Sequence, residues 1–255
     1  YDGMIGLNYN QRNVPDLTST ITGLTIPRFY EISNSPASPV SSTYYMKRRL
    51  VGTYGQANLS YNNFLYLTLT ARNDWSSTLP INKNSYFYPG ASLSFVLTDA
   101  FSNLTNYGLS FAKLRASWGK TGNDASPYMV RSTLAHGNVG LNFGNLAFPF
   151  GGINAYEIGN ALGNAELRPE LTTEHEFGTD LRFLDNRLGI DLSYYNKITR
   201  DQIFTVPVAA TSGYTSIVKN FGAIRNRGLE LALNGTPVKG KNMQWDLIYT
   251  FTRNR

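Results

Sequence analysis

Cysteine is absent from the 255 residues, and histidine occurs only twice. Without thiols the sequence holds no disulfide, no thiolate metal site and no cysteine nucleophile. Two histidines without cysteines make a poor metal centre, so neither metal nor cofactor is expected. Charge is also scarce: Asp, Glu, Lys and Arg make up 16% of the residues, against about 25% in an ordinary soluble domain. No stretch approaches the roughly 18–20 consecutive apolar residues of a spanning helix, which excludes a helical membrane protein. The place of charge is taken by 17 Tyr, 14 Phe and 23 Gly, with many Asn, Ser and Thr. That blend suits a surface that is apolar on one side and polar but largely uncharged on the other. The formal net charge is +6, yet the basic residues are dispersed and the tightest run is Lys47-Arg48-Arg49. A nucleic-acid binder concentrates its charge on one face, so no nucleic-acid partner is expected.

Period-2 alternation dominates what is present. Leu65, Leu67, Leu69 and Ala71 alternate with Tyr66, Thr68, Thr70, Arg72 and Asp74. Ala112, Leu114, Ala116 and Trp118 oppose Lys113, Arg115, Ser117 and Gly119. The same reading applies to Ala91–Leu97, Phe177–Phe183, Leu188–Tyr194, Leu229–Leu233 and Trp245–Phe251, with weaker strands near Met4–Tyr9 and Leu50–Tyr61. About nine strands result, each close to the 9–11 residues of a tilted membrane strand.

A soluble β-sandwich also alternates, so the connections decide between the two. Long connections are expected near 11–46, 121–170 and 202–220, and a further one over 76–85. They take turns with short connections at Asn62-Asn63, Leu184–Arg187 and Thr236–Asn242 and a moderate one at Thr98–Gly108. Outer-membrane barrels keep this rhythm, because their periplasmic turns are tight and their extracellular loops long. Aromatic residues near the proposed strand ends fit the girdles of such a barrel. They are Tyr61, Phe64, Trp75, Tyr86, Phe87, Tyr88, Trp118, Phe183 and Tyr194. The stretch 121–170 is long for a loop and therefore functional in expectation, folded over or beside the barrel mouth.

No catalytic constellation survives scrutiny. Gly119-Lys120-Thr121 ends like a phosphate-binding loop, but Leu114 stands where that motif needs its first glycine, and these residues close a strand where the motif opens a helix. Ser117, Lys120 and the following Thr121-Gly122 match two motifs of penicillin-binding enzymes, but one lysine would have to serve both. Glu174 and Glu176 share a face at about 7 Å; on one strand they do not flank a glycosidic bond from opposite sides. His175-Glu176 lacks the second histidine of a zinc-protease motif, since Thr179 holds its place.

Several segments resemble one family. Arg72-Asn-Asp-Trp-Ser-Ser-Thr-Leu-Pro80, followed by Tyr86-Phe-Tyr-Pro-Gly-Ala-Ser-Leu-Ser-Phe-Val-Leu-Thr-Asp99, is similar to the barrel signature of SusC/RagA-type TonB-dependent transporters. Leu114-Arg-Ala-Ser-Trp-Gly-Lys-Thr-Gly-Asn123, Leu167–Gly178, Asp191–Lys197 and Gly222–Leu231 resemble later strands of that family, in the same order. The resemblance implies an all-β fold: a large antiparallel transmembrane β-barrel of 22 strands. About nine of those strands would lie in residues 1–255, without the plug domain. It also implies a Gram-negative outer-membrane location and active import of oligosaccharides or peptides. The partners it implies are a SusD-like surface lipoprotein, TonB acting through a part not in this sequence, and outer-membrane lipid. Transport without covalent chemistry is the expectation, so no enzyme activity is assigned.

Arg72, Asp74 and Trp75 at one strand end, and Tyr214 in the loop after Gln202, are the candidate ligand contacts. Aromatic rings stack on sugars, and Arg and Asp supply hydrogen bonds. The rival readings are a passive porin or adhesin barrel, a soluble carbohydrate-binding β-sandwich, and a glycosidase using Glu174 and Glu176.

Overall fold

The computed structural model describes residues 1–141 and 144–255. The chain begins with five long strands: β1 (Asp2–Thr20), β2 (Val40–Tyr61), β3 (Leu65–Ser76), β4 (Ser85–Val96) and β5 (Leu109–Asn123). Five short strands follow within one connection: β6 (Leu134–His136), β7 (Asn138–Leu141), β8 (Gly144–Ala147), β9 (Tyr156–Ile158) and β10 (Ala161–Leu162). The long strands resume with β11 (Glu170–Phe183) and β12 (Leu188–Arg200). After β13 (Ile203–Pro207) and β14 (Ser216–Asn220), the chain ends on β15 (Ala223–Lys239) and β16 (Gln244–Asn254).

The long strands form one nine-stranded antiparallel sheet in the order β1-β2-β3-β4-β5-β11-β12-β15-β16. Every neighbour in it is also the next long strand in sequence, which is the up-and-down order of a barrel wall. The sheet is open: β1 and β16 are its edges. β10, β14 and β13 form a small separate sheet, while β6 pairs β9 and β7 pairs β8.

Connections at the two ends of the sheet differ in length as the sequence predicts, except that the β4–β5 connection (97–108) exceeds the β3–β4 one (77–84). At one end of the sheet the turns are tight. Asn62 and Asn63 both adopt positive φ (45° and 58°), the geometry that matches strand twist in two-residue hairpins. Leu184, Asp185 and Asn186 do the same in the β11–β12 turn. The β4–β5 connection at this end is longer and holds a one-turn helix (Leu97–Ala100) and a 3-10 segment (Ser102–Tyr107). At the other end lie the long connections.

The stretch expected as a loop over 11–46 is corrected by the strand bounds. Residues 11–20 belong to β1 and 40–46 to β2, paired without a break from Gln11↔Arg49 to Thr20↔Val40. The connection itself is 21–39. Alternation failed to mark these strand ends because nearly all of their residues are exposed on both sides, so no face required apolar residues. The stretch 202–220 likewise carries β13 and β14, and 121–170 carries β6 to β10.

The register joins like with like across the sheet. One unbroken row runs Leu65, Phe95, Leu114, Thr179, Leu192, Leu231, Phe251. A second runs Leu67, Leu93, Ala116, Phe177, Tyr194, Leu229. These rows stay on the surface: Phe177 is 57% exposed and Leu114 45%. Among the described residues no second sheet covers them. A sandwich would bury such a face against its partner sheet. A contiguous apolar face this broad is instead built for another apolar phase.

Buried apolar residues are found elsewhere. Leu79, Tyr86, Ala125, Leu167 and Val218 form one cluster, with Tyr88, Met129, Val130 and Ile203 packed against it. All of them belong to the long-connection end. The largest buried apolar cluster is therefore at the mouth of the wall, while Val96 and Ala112 are buried at the tight-turn end of the sheet.

Candidate functional site

The face opposite the apolar rows carries the polar residues, and it is cross-linked by side chains lying across neighbouring strands. Near the long-connection end one row reads Gly6, Tyr54, Arg72, Tyr88, and the next Asn8, Gly52, Asp74, Tyr86. Arg72 Nε donates to Asp74 Oδ1 at 2.8 Å, and the Tyr88 hydroxyl donates to Asp74 Oδ2. The Arg72 guanidinium also lies 5.9 Å from the Tyr54 ring centroid, within cation–π range. Gly52 makes room for the pair: a Cβ there would collide with Asp74 Oδ1 and the end of Arg72. Asp74 is thereby buried and satisfied, while Arg72 keeps about a third of its side chain exposed.

Of the four residues singled out from sequence, this arrangement unites Arg72 and Asp74. Trp75 is on the opposite face, paired with Val51 and Ser85 and 38% exposed. Tyr214 follows the 3-10 turn Ala210–Ser212 and is half-buried; its backbone N–H bonds to Ser212 Oγ at 3.4 Å. Its bonds stay within that loop. Strand parity also corrects two of the girdle assignments. Tyr86 and Tyr88 point to the polar face, Tyr86 into the mouth cluster and Tyr88 onto Asp74. Phe87, between them, is 58% exposed and takes the outward position.

At the tight-turn end the aromatics do form a belt. Tyr61 and Phe64 meet edge-on at 5.5 Å, Phe64 and Phe95 at 5.7 Å, and Phe95 and Phe101 at 6.3 Å. Such T-shaped contacts suit the ring quadrupoles.

Further down the polar face, Arg115 reaches across β11 to β12. Nη1 and Nη2 donate to both carboxylate oxygens of Asp191, at 3.0 and 2.7 Å, and Nη2 also bonds Ser193 Oγ. Gly178 stands between them in the register; any Cβ there would strike the Arg115 Nε. The bidentate pair neutralises an awkward juxtaposition, because Asp180 faces Asp191 directly across β11 and β12. Asp180 is answered by Arg182 at 3.1 Å. Glu176 lies 3.8 Å from Arg115, and Glu174 precedes it on the same face. Two carboxylates on one strand face, one of them held by an arginine, bracket no glycosidic bond. Among the described residues no group of three or more His, Cys, Asp or Glu is gathered for a metal; the His136 side chain lies outside the described residues.

Sequence reasoning missed the knot that closes the mouth. Asp124, one residue past β5, accepts from Arg48 Nε (2.9 Å) and Nη2 (2.6 Å), from Thr78 Oγ1 (3.0 Å) and from Ser76 Oγ. Burial alone pushes this carboxyl up. The hydrogen bonds from Arg48, Ser76 and Thr78 outweigh it, so the net effect holds Asp124 below its ordinary value. Three strands are tied together at one carboxylate. Its only trace in the sequence is position, immediately after the family-like Gly119–Asn123 run; the partners are 46 to 76 residues away.

The family model described as "TonB dependent receptor-like, beta-barrel" matches residues 1–255. TonB-dependent receptor P26 of Formosa agariphila is 28% identical over 244 residues, covering 94% of this chain and 23% of that protein. TonB-dependent receptor SusC of Bacteroides thetaiotaomicron is 27% identical over 225 residues, covering 84% of the chain and 21% of its own length. The structure of the RagAB peptide transporter superposes with a TM-score of 0.83 at 22% identity, covering 99% of this chain and 27% of that one. The chain thus spans about a quarter of the proteins it resembles.

Proposed function

The chain belongs to the TonB-dependent receptor-like β-barrel family, and from that premise we propose that it forms part of the wall and mouth of a SusC-like active transporter in a Gram-negative outer membrane. One observation carries the reading: the sheet exposes continuous apolar rows on one face and a bonded polar surface on the other. Lipid satisfies the first face, and an aqueous passage satisfies the second. Backbone groups along β1 and β16 find their remaining partners in the rest of the barrel, since open edges are not tolerated in hydrocarbon.

The cargo in this reading is an oligosaccharide or peptide too large for simple diffusion. TonB supplies energy through parts of the receptor beyond this segment, and a SusD-like lipoprotein covers the mouth. The loops at the long-connection end support this, because they are folded around a buried cluster and a buried carboxylate. Arg72 and Tyr214 are the ligand-contact candidates in this scheme. Asp74 orients Arg72, and Trp75, facing outward, anchors the wall at the lipid headgroups.

The test is extraction of the native receptor from outer membranes in mild detergent. Co-purification of a longer parent chain with a surface lipoprotein, and cargo uptake that stops when TonB is inactivated, are the expected results. A lone barrel with TonB-independent flux would favour the passive porin instead.

A further inference from the structure

At the long-connection end, Tyr44 of β2, the connection that follows β5, and the strands β13 and β14 line a cavity of about 270 Å³. We propose that this cavity is a subsite for the C-terminal residue of a peptide: its apolar side chain rests on the floor, and Arg131 and the Tyr44 hydroxyl hold its carboxylate. The proposal rests on the transporter reading above and narrows its cargo.

The floor is apolar. Val218, 4% exposed, belongs to the mouth cluster, and Met129 packs against that cluster. One wall is fixed in place. The Tyr128 hydroxyl accepts from the Lys47 N–H at 3.1 Å and donates to the Tyr45 carbonyl at 3.0 Å, which pins its ring against β2. Tyr128 adopts a φ of 69°, a conformation that a tyrosine holds only when its surroundings enforce it.

The rim differs from the floor and from that wall. Tyr44 shares the polar strand face of Arg48 and Gly52, and its hydroxyl has no partner among the described residues. Arg131 lines the same cavity from an exposed position, as Tyr44 does, and makes no ion pair or side-chain hydrogen bond among the described residues. Asp16, which faces Tyr44 across the β1–β2 pair, leaves it unpaired. A free guanidinium and a free hydroxyl beside an apolar floor fit an anion attached to an apolar group.

Size and polarity select the peptide end. Whole-ligand pockets measure about 300–1,000 Å³, so this smaller cavity takes one residue of a longer cargo. A sugar unit would bring hydroxyls onto a floor where Thr133 and Thr205 are the remaining polar side chains, and unmatched hydroxyls are costly to bury. A peptide terminus supplies one carboxylate and one side chain from a single residue.

The experiment uses the full-length receptor purified with its accompanying lipoprotein. An N-terminally labelled hexapeptide ending in phenylalanine is titrated as the free acid and as the amide, with maltohexaose as competitor. The free acid is expected to bind about tenfold tighter, the scale of one charge-assisted hydrogen bond. Arg131→Gln should bring the acid down to the amide and leave the amide unchanged, while Arg131→Lys keeps part of the preference. Tyr44→Phe should cost about two- to fivefold on the acid alone. Equal binding of acid and amide, a preference surviving Arg131→Gln, or binding of maltohexaose without the peptide would overturn the subsite. Uptake of the same probes in cells with and without TonB separates the two levels. TonB-dependent uptake without acid preference sinks the subsite alone; TonB-independent uptake sinks the transporter reading.

Discussion

Between Leu65 and Phe251 the wall keeps its large apolar side chains on the surface, whereas the loops above it bury theirs. In the wall, order comes from strand pairing and from long side chains laid over glycine on the polar face, such as Arg115 over Gly178. Its apolar face packs only through cross-strand neighbours and, in the transporter reading, is covered by lipid. At the mouth, a small core around Leu167 and Tyr86 and the Asp124 knot give the loops a stability of their own. The wall is therefore stabilised by its environment, and the mouth by its own packing.

That contrast can be broken most strongly from the lipid side. Leu114→Arg puts a charge in the middle of the apolar row and should cost about 2–4 kcal/mol near the bilayer midplane, measured by refolding the full receptor into vesicles. The mouth loops should keep their protease resistance in that variant. Asp124→Ala does the reverse. It strands Arg48, Ser76 and Thr78 and should cost about 2–3 kcal/mol, below the full range for a buried pair because Arg48 is partly exposed. Hydrogen exchange should rise in 124–169 and around Ser76 while the wall stays protected.

Acid offers the same perturbation without mutation. Asp124 is held below its ordinary value in the folded mouth, so its stabilisation is complete above about pH 4, the unfolded carboxylate range. It is lost as pH falls through the lower folded value. Mouth protection should be flat from pH 8 to about 5 on this account and fall only in stronger acid; a fall near pH 6 would point to another group. Gly178→Ala should give a smaller effect, about 1 kcal/mol, by displacing Arg115 from Asp191. Ser92→Arg, at an exposed position on the polar face of the same wall, should change stability by less than about 0.5 kcal/mol. A cost equal to that of Leu114→Arg would erase the distinction between the faces.

Legibility in the sequence follows the same division. The wall was readable because a strand with one apolar face must alternate, so Leu65–Ala71 and Ala112–Trp118 declared their faces, while their registers are seen only in the fold. Residues 11–20 and 40–46 were not readable as strand, since both of their sides are exposed and neither needs leucine or valine. Tyr86, Phe87 and Tyr88 look alike as a run of aromatics, and only strand parity separates the outward ring from the inward pair. Arg72 with Asp74 was accessible at a spacing of two. Arg48 with Asp124, and Tyr44 with Arg131, were not, because folding rather than proximity in the chain brings them together.

The most direct test of the account is lipid access along β5 in the full receptor. Single cysteines are placed in turn at Leu114, Arg115, Ala116, Ser117 and Trp118, this segment having no cysteine of its own. Each is labelled with a fluorophore and reconstituted with brominated acyl chains. Quenching at Leu114, Ala116 and Trp118, with Arg115 and Ser117 unquenched, is the predicted result. Uniform quenching, or none at any position, would contradict a wall with one face in lipid.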